Sequence, residues 1–89
     1  MYDDVPEYIK NFLMYMKNIQ NRSKNTVKEY YYDLRNAFRF FKADLYNLDK
    51  SDLNKIDIVN IIGMVDIIYN ITLPNVQRYL IFLSHNCYN

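Results

Sequence analysis

The sequence predicts an all-α fold, and three observations carry that prediction. Breakers are scarce: Gly63 is the only glycine and Pro6 and Pro74 the only prolines in 89 residues, which favours helices over a turn-rich β fold. Apolar side chains in residues 23–41 recur at spacings of three and four, the period of a helix buried on one face. Residues able to cap a helix, Asp4, Ser23 and Thr72, stand just ahead of the apolar-periodic runs.

Composition sets the outer limits. The chain is 51% hydrophobic and 24% charged, as expected of one small globular domain. Cys87 is the only cysteine and His85 the only histidine. An internal disulfide is therefore impossible, and a zinc or histidine-based catalytic site lacks raw material. No cofactor or metal is expected, His85 reads as a surface residue, and Cys87 reads as an incidental thiol. No run reaches the roughly 18 to 20 apolar residues that span a bilayer. The start, MYDDVPEY, is acidic where a signal peptide is basic and then apolar. The expected location is cytoplasmic, with no membrane partner.

The first helix is expected to start at residues 4–7, with Asp4 as cap, Pro6 in the first turn and Glu7 at the place of a capping-box acid. Tyr8, Ile9, Phe12, Leu13 and Met16 share a face flanked by Tyr15 and Ile19, which reads as core packing rather than a partner surface. The polar run at residues 18–22 is a short connection.

The chain is organised around the second helix, over residues 23–41 and continuing to about Tyr46. Ser23 caps it, and its apolar stripe is Val27, Tyr30, Tyr31, Leu34, Ala37, Phe38 and Phe41. A second stripe of Lys24, Lys28, Tyr32, Arg35, Arg39 and Lys42 lies roughly 120° around the helix. Residues 22–42 carry six Lys and Arg against two acids, a net charge of +4 in a chain that totals +1. This asymmetry, rather than the total, points to an anionic partner. At the helix start, exposed N–H groups and the positive end of the dipole suit a phosphate, and Arg22 and Lys24 add full charges. Asn25 suits a base edge, and Lys28 a guanine or a phosphate. In the bland reading Ser23 and Thr26 merely cap and Asn25 is solvated. Tyr32 stacks on a base, bonds a phosphate or lies on Arg35. Tyr30 and Tyr31 read as core, and Asp33 as a structural contact.

Residues 43–57 lose the clean period and turn acidic at Asp44, Asp49, Asp52 and Asp57, a sign that should keep them from a phosphate backbone. The isoleucine-rich run at residues 56–71 is expected to be irregular, with a short helix near residues 59–69 in which Gly63 is unfavourable. Thr72 and Pro74 start the last helix, whose buried face is Val76, Tyr79, Leu80 and Leu83.

The spacing Ser23-x-x-Thr26-x-x-x-Tyr30-x-x-Asp33-Leu34-x-x-x-Phe38-x-x-Phe41 resembles the signature of the core-binding domain of tyrosine recombinases of phage-integrase and Xer type. That domain is the N-terminal SAM-like helical module of the family. Val5-Pro6-Glu7-Tyr8-Ile9-Lys10-Asn11-Phe12-Leu13 is similar to its first helix. Ile71-Thr72-Leu73-Pro74-Asn75-Val76-Gln77-Arg78-Tyr79-Leu80 is similar to its third, although Asn75 stands where an acid is usual. The resemblance implies that the start of the second helix approaches the major groove, with Lys24, Asn25, Lys28 and Glu29 nearest the bases. It also implies a fourth helix and a catalytic domain with a His-x-x-Arg pair and a tyrosine nucleophile. Neither is found in residues 1–89.

The expected architecture is thus a single SAM-like helical bundle over residues 1–89, a core-binding domain fragment lacking its fourth helix and the catalytic domain. It is no enzyme itself but part of a tyrosine recombinase. Its expected partners are double-stranded DNA and other recombinase protomers. The DNA-contacting set is Arg22, Ser23, Lys24, Asn25, Thr26, Lys28, Glu29, Tyr32, Arg35 and Arg39, with no catalytic residue. The missing helix should leave an apolar groove at Tyr79, Leu80, Leu83 or Phe38, so that the fragment is marginally stable or self-associates. Two other readings are a helical protein-interaction module and a small stand-alone regulator of helix-turn-helix type.

Overall fold

The computed structural model describes residues 2–59 and 68–86. Three helices, α1 (Glu7–Asn18), α2 (Lys24–Leu45) and α3 (Leu73–Asn86), are joined by a short connection and by a longer one holding a 3-10 turn, Leu53–Lys55. No strand occurs among the described residues. Residues 68–70 form a further helical turn. Gly63, Cys87 and most of the helix expected at residues 59–69 lie outside the described residues.

Helix α2 is the centre, with α1, the 3-10 turn and α3 all packed against it. On one side Val5, Ile9, Leu13, Met16, Val27 and Ile58 form a buried cluster, with Tyr31, Leu34, Phe38 and Phe41 of α2 packed on it. On the other, Phe40, Ala43 and Leu53 are buried beneath Tyr79 and Phe82 of α3. The Phe40 ring lies 5.2 Å from Tyr79 and 5.0 Å from Phe82, centroid to centroid. Helix α2 therefore buries two faces, where a single apolar stripe was expected. Phe40 and Phe82, absent from the expected stripes, anchor the second face. Leu80, expected in the core, is 58% exposed, because Tyr79 and Phe82 turn that part of α3 toward Phe40. Tyr30, also expected in the core, is 47% exposed. It meets Phe12 edge-on at 6.5 Å at the outer rim of the α1–α2 contact, and Phe12, Tyr15 and Ile19 are themselves exposed.

The helix ends follow from local chemistry. Ser23 is extended and its Oγ accepts the Thr26 N–H at 3.1 Å, which satisfies one of the orphan donors of the first turn. At the far end Asn47 takes φ 58°, a left-handed backbone that Asn tolerates. The Leu48 N–H then closes back on the Ala43 carbonyl at 2.8 Å, as in a Schellman termination. Asn21, at φ 53°, turns the chain after α1 so that the Arg22 N–H reaches the Met16 carbonyl at 3.0 Å. The expected start of α1 is corrected in one respect: Pro6 holds the cap position and no side chain caps it. Asp4 is drawn away to α2 instead, and Glu7 is simply the first helical residue, where a negative charge suits the dipole.

The start of α3 explains the Asn75 departure. The Asn75 Oδ1 accepts the Thr72 N–H and the Thr72 hydroxyl, both at 2.8 Å, which is the backward half of a capping box. Its amide Nδ2 donates to Asp44 Oδ2 at 2.6 Å. A carboxylate at position 75 could accept from Thr72 but would face Asp44 as a like charge. The amide supplies an acceptor on one side and a donor on the other.

Candidate nucleic-acid interface

The start of α2 assembles most of the predicted contact set on one exposed surface. Arg22, Lys24, Asn25, Lys28 and Glu29 are all exposed. Ser23 and Thr26 are engaged with each other: the Ser23 hydroxyl donates to Thr26 Oγ1 at 2.9 Å while accepting the Thr26 N–H. The first turn of α2 contains no acid, so nothing on the helix itself offsets the positive end of its dipole. The N–H groups of Lys24 and Asn25 precede the first intrahelical bond, made by the Val27 N–H to the Ser23 carbonyl at 3.1 Å. This is the arrangement that receives anions at helix starts.

Farther along α2 the predicted row of cations divides. Lys28 lies over the Tyr32 ring at 6.0 Å and remains exposed. The Arg35 guanidinium sits 5.1 Å from both the Tyr31 and the Tyr32 ring centroids and donates to Asp4 Oδ2 at 2.8 Å. Tyr31 donates its hydroxyl to Asp4 Oδ1 at 2.5 Å and accepts from Arg35 at 3.1 Å. Arg39 donates to Asp4 Oδ2 at 3.4 Å and to Asn54 Oδ1 at 3.2 Å. With only 8% of its surface exposed, Arg39 is not the solvent-facing cation that the stripe predicts. The reason is tertiary: the segment ahead of α1 and the 3-10 turn close over it. Arg35 is half-committed, paired with Asp4 yet still at the edge of the Tyr32 surface.

The titrations follow from this geometry. Burial raises the Asp4 carboxyl, but hydrogen bonds from Tyr31 and Arg35, together with the Arg35 charge, hold it below the usual aspartate value. Burial and the bond to Asp4 push the Tyr31 phenol up. Burial and the charge of Arg35 lower Arg39, which stays a cation.

Three residues outside the predicted set, Tyr2, Tyr31 and Lys17, join the surface. Tyr2 lays its ring 4.5 Å from that of Tyr31, and together Tyr2, Tyr31, Tyr32, Lys24 and Lys28 line a hollow of about 330 Å³. An adjoining hollow of about 110 Å³ is bordered by Tyr2, Lys24 and Lys17 among others. Lys17 had a sequence signal, since it lies in the last turn of α1, a short connection away from Lys24. Tyr2 had none. Among the described residues no three His, Cys, Asp or Glu side chains are grouped to hold a metal, and no helix is long and apolar enough to cross a membrane. His85 is exposed, as expected.

Comparison with known proteins settles the family. Residues 9–66, which include most of α1, all of α2 and the 3-10 turn, match the family described as phage integrase, N-terminal SAM-like domain. The chain belongs to that family. The integrase domain is also similar to tyrosine recombinase XerC of Caldanaerobacter subterraneus subsp. tengcongensis, 33% identical over 86 residues. That alignment covers 90% of this chain and 22% of the relative, so the chain spans about a fifth of that recombinase's length. No solved structure matches at a significant level. The all-α fold and the family expected from the sequence are thus both shown, and the part of the family represented is the N-terminal SAM-like domain, not a catalytic one.

Proposed function

We propose that this domain grips double-stranded DNA at a recombination site on behalf of a tyrosine recombinase, alongside other recombinase protomers in the cytoplasm. The observation that carries the reading is the exposed cluster of Arg22, Lys24 and Lys28 around an acid-free helix start within a member of the phage-integrase family. Arg22, Lys24 and Lys28 take phosphates, Asn25 and Glu29 stand nearest base edges, and Ser23 and Thr26 hold the helix start in shape. Tyr32 and Arg35 border the grip, and Arg39 supports it from inside. Strand breakage and rejoining belong to a catalytic domain outside these residues.

The test is duplex binding by fluorescence anisotropy at two salt concentrations. Three phosphate contacts predict a slope of log affinity against log salt of roughly −3. The double variant K24Q/K28Q should lower that magnitude by about 2. Absence of binding at low salt, or affinity indifferent to salt, overturns the reading.

A second reading rests on the apolar side of α3, where Leu73, Leu80 and Ile81 are exposed. Exposed large apolar side chains on one helix favour association, and here the partner is a second copy of the chain. Sedimentation equilibrium checks it: a concentration-independent monomer rules it out.

A further inference from the structure

The hollow at the start of α2 is built from more than a phosphate needs. Cations on a convex surface suffice to hold a duplex backbone. Here the ammonium-bearing residues Lys24 and Lys28, one helical turn apart, border a concavity whose remaining lining is three phenol rings, Tyr2, Tyr31 and Tyr32. The rings form a connected set, with Tyr31 4.5 Å from Tyr2 and 5.0 Å from Tyr32. Tyr2 reaches its place with φ 61°, a left-handed backbone that is unfavourable for a side-chain-bearing residue. The aromatic wall is therefore maintained against a local penalty.

Aromatic side chains beside a cationic track are the means by which proteins hold unpaired nucleotides, because every base presents a π face and every nucleotide a phosphate. The volume, about 330 Å³, lies at the lower end of small-molecule sites. It suits one nucleotide and cannot admit a double helix. A base inside a duplex reaches such a hollow only by leaving its stack.

We propose that the Tyr2–Tyr31–Tyr32 hollow with Lys24 and Lys28 is a site for a single unpaired nucleotide of a DNA strand, so that the domain prefers DNA carrying an unstacked base over fully paired duplex. The base lies against the tyrosines, and the lysines take its flanking phosphates. Lys17, at the adjoining hollow, is placed for the next phosphate along the strand. This inference rests on the DNA-binding reading above and extends it from the backbone to one nucleotide.

The experiment uses the 89-residue chain and four probes. They are a short duplex, the same duplex with one unpaired 2-aminopurine, a single strand of thymidines and free thymidine monophosphate. The expected result is affinity for the unpaired-base duplex at least about fivefold above the paired duplex, the lower end of what stacking one base contributes. The 2-aminopurine emission should be quenched on binding. Tyr32→Ala removes the quenching and brings the unpaired-base and paired duplexes to equal affinity, and Tyr32→Phe restores both the preference and the quenching. Tyr32 is exposed, so its replacement leaves the core intact, and thermal melts of each variant confirm folding. Equal affinity for paired and unpaired duplex overturns this inference while the phosphate grip survives. Absence of binding to every DNA probe overturns both readings. Free thymidine monophosphate binding as tightly as the unpaired-base duplex would mean a mononucleotide site and overturns the proposal for a DNA strand.

Discussion

Two aspartates brace α2, one along its middle and one near its C-terminus, and they do different things with the same chemistry. Asp44, near the C-terminus of α2, has a side chain only 4% exposed. It accepts from Lys50 at 2.5 Å, from the Asn75 amide at 2.6 Å and from Arg78 Nε at 2.9 Å, joining α2 to the following loop and to α3. Lys50 also lies over the Phe40 ring at 5.1 Å, so this joint continues into the second core. Asp4 comes from outside, ahead of α1, and its side chain is 41% exposed. It takes Tyr31, Arg35 and Arg39 of α2 itself. The buried carboxylate holds elements together. The open one also decides which cations of α2 remain for another anion. Identical charge pairs thus differ in consequence according to whether their cations come from the scaffold or from a candidate binding face.

The sharpest way to break the comparison is Asp44→Ala. It strips Asn75 of its acceptor in a buried setting and leaves Lys50 and Arg78 without their carboxylate. An expected loss of about 2–3 kcal/mol follows, or roughly 10–20 °C in a thermal melt of a domain this size. A loss below 1 kcal/mol in urea unfolding would mean that the joint is ornamental. Asp4→Asn should cost less, about 1 kcal/mol or under, because its carboxylate is partly solvated. Its larger signature is on binding. With Arg35 released, the magnitude of the salt slope for duplex DNA should rise by about one, whereas Asp44→Ala should leave that slope alone. An unchanged slope in Asp4→Asn would show that Arg35 stays on Tyr31 and Tyr32 rather than reaching a phosphate.

The smallest effect concerns acid. Burial raises the Asp44 carboxyl, but the bonds from Lys50, Asn75 and Arg78 outweigh burial and hold it low, and Asp4 is likewise held low. A depressed folded value means that the folded chain binds fewer protons than the unfolded one. Both groups therefore stabilise fully above the unfolded aspartate value of about 3.9, and that stability is lost as pH falls through the folded values. Denaturant melts should be insensitive to these two groups between about pH 5 and 8. Below about pH 4, Asp44→Asn should lose stability less steeply than the unsubstituted chain. Parallel acid limbs would show that the Asp44 pairs do not persist in solution.

Much of the scaffold was legible in the chain. The extent of α2, its Ser23 cap, the break before it and the Thr72 start of α3 all follow from spacing and capping residues. So did the exposed group from Arg22 to Glu29. The second face of α2 was not legible. Phe40 falls between the two stripes read from the sequence, and only packing by Tyr79 and Phe82 makes its position a core position. The fate of Arg39 was equally hidden, since its burial needs Asp4 and Asn54, which approach from 35 residues before it and 15 after.

The sequence by itself determined that the chain is helical, where its helices begin, that the start of α2 is basic and that the family is that of the phage integrases. These are consequences of interactions within a few residues: 3.6-residue periodicity, capping bonds and local charge. The tertiary structure alone decided that Asp4 takes Arg35 and Arg39 out of the basic row, that Asn75 replaces an acid beside Asp44, and that Tyr2 completes a hollow with Tyr31 and Tyr32. Each of these joins residues about 30 positions apart. Periodicity assigns a side chain to a face of its helix, but which distant group covers that face is settled only when the helices pack.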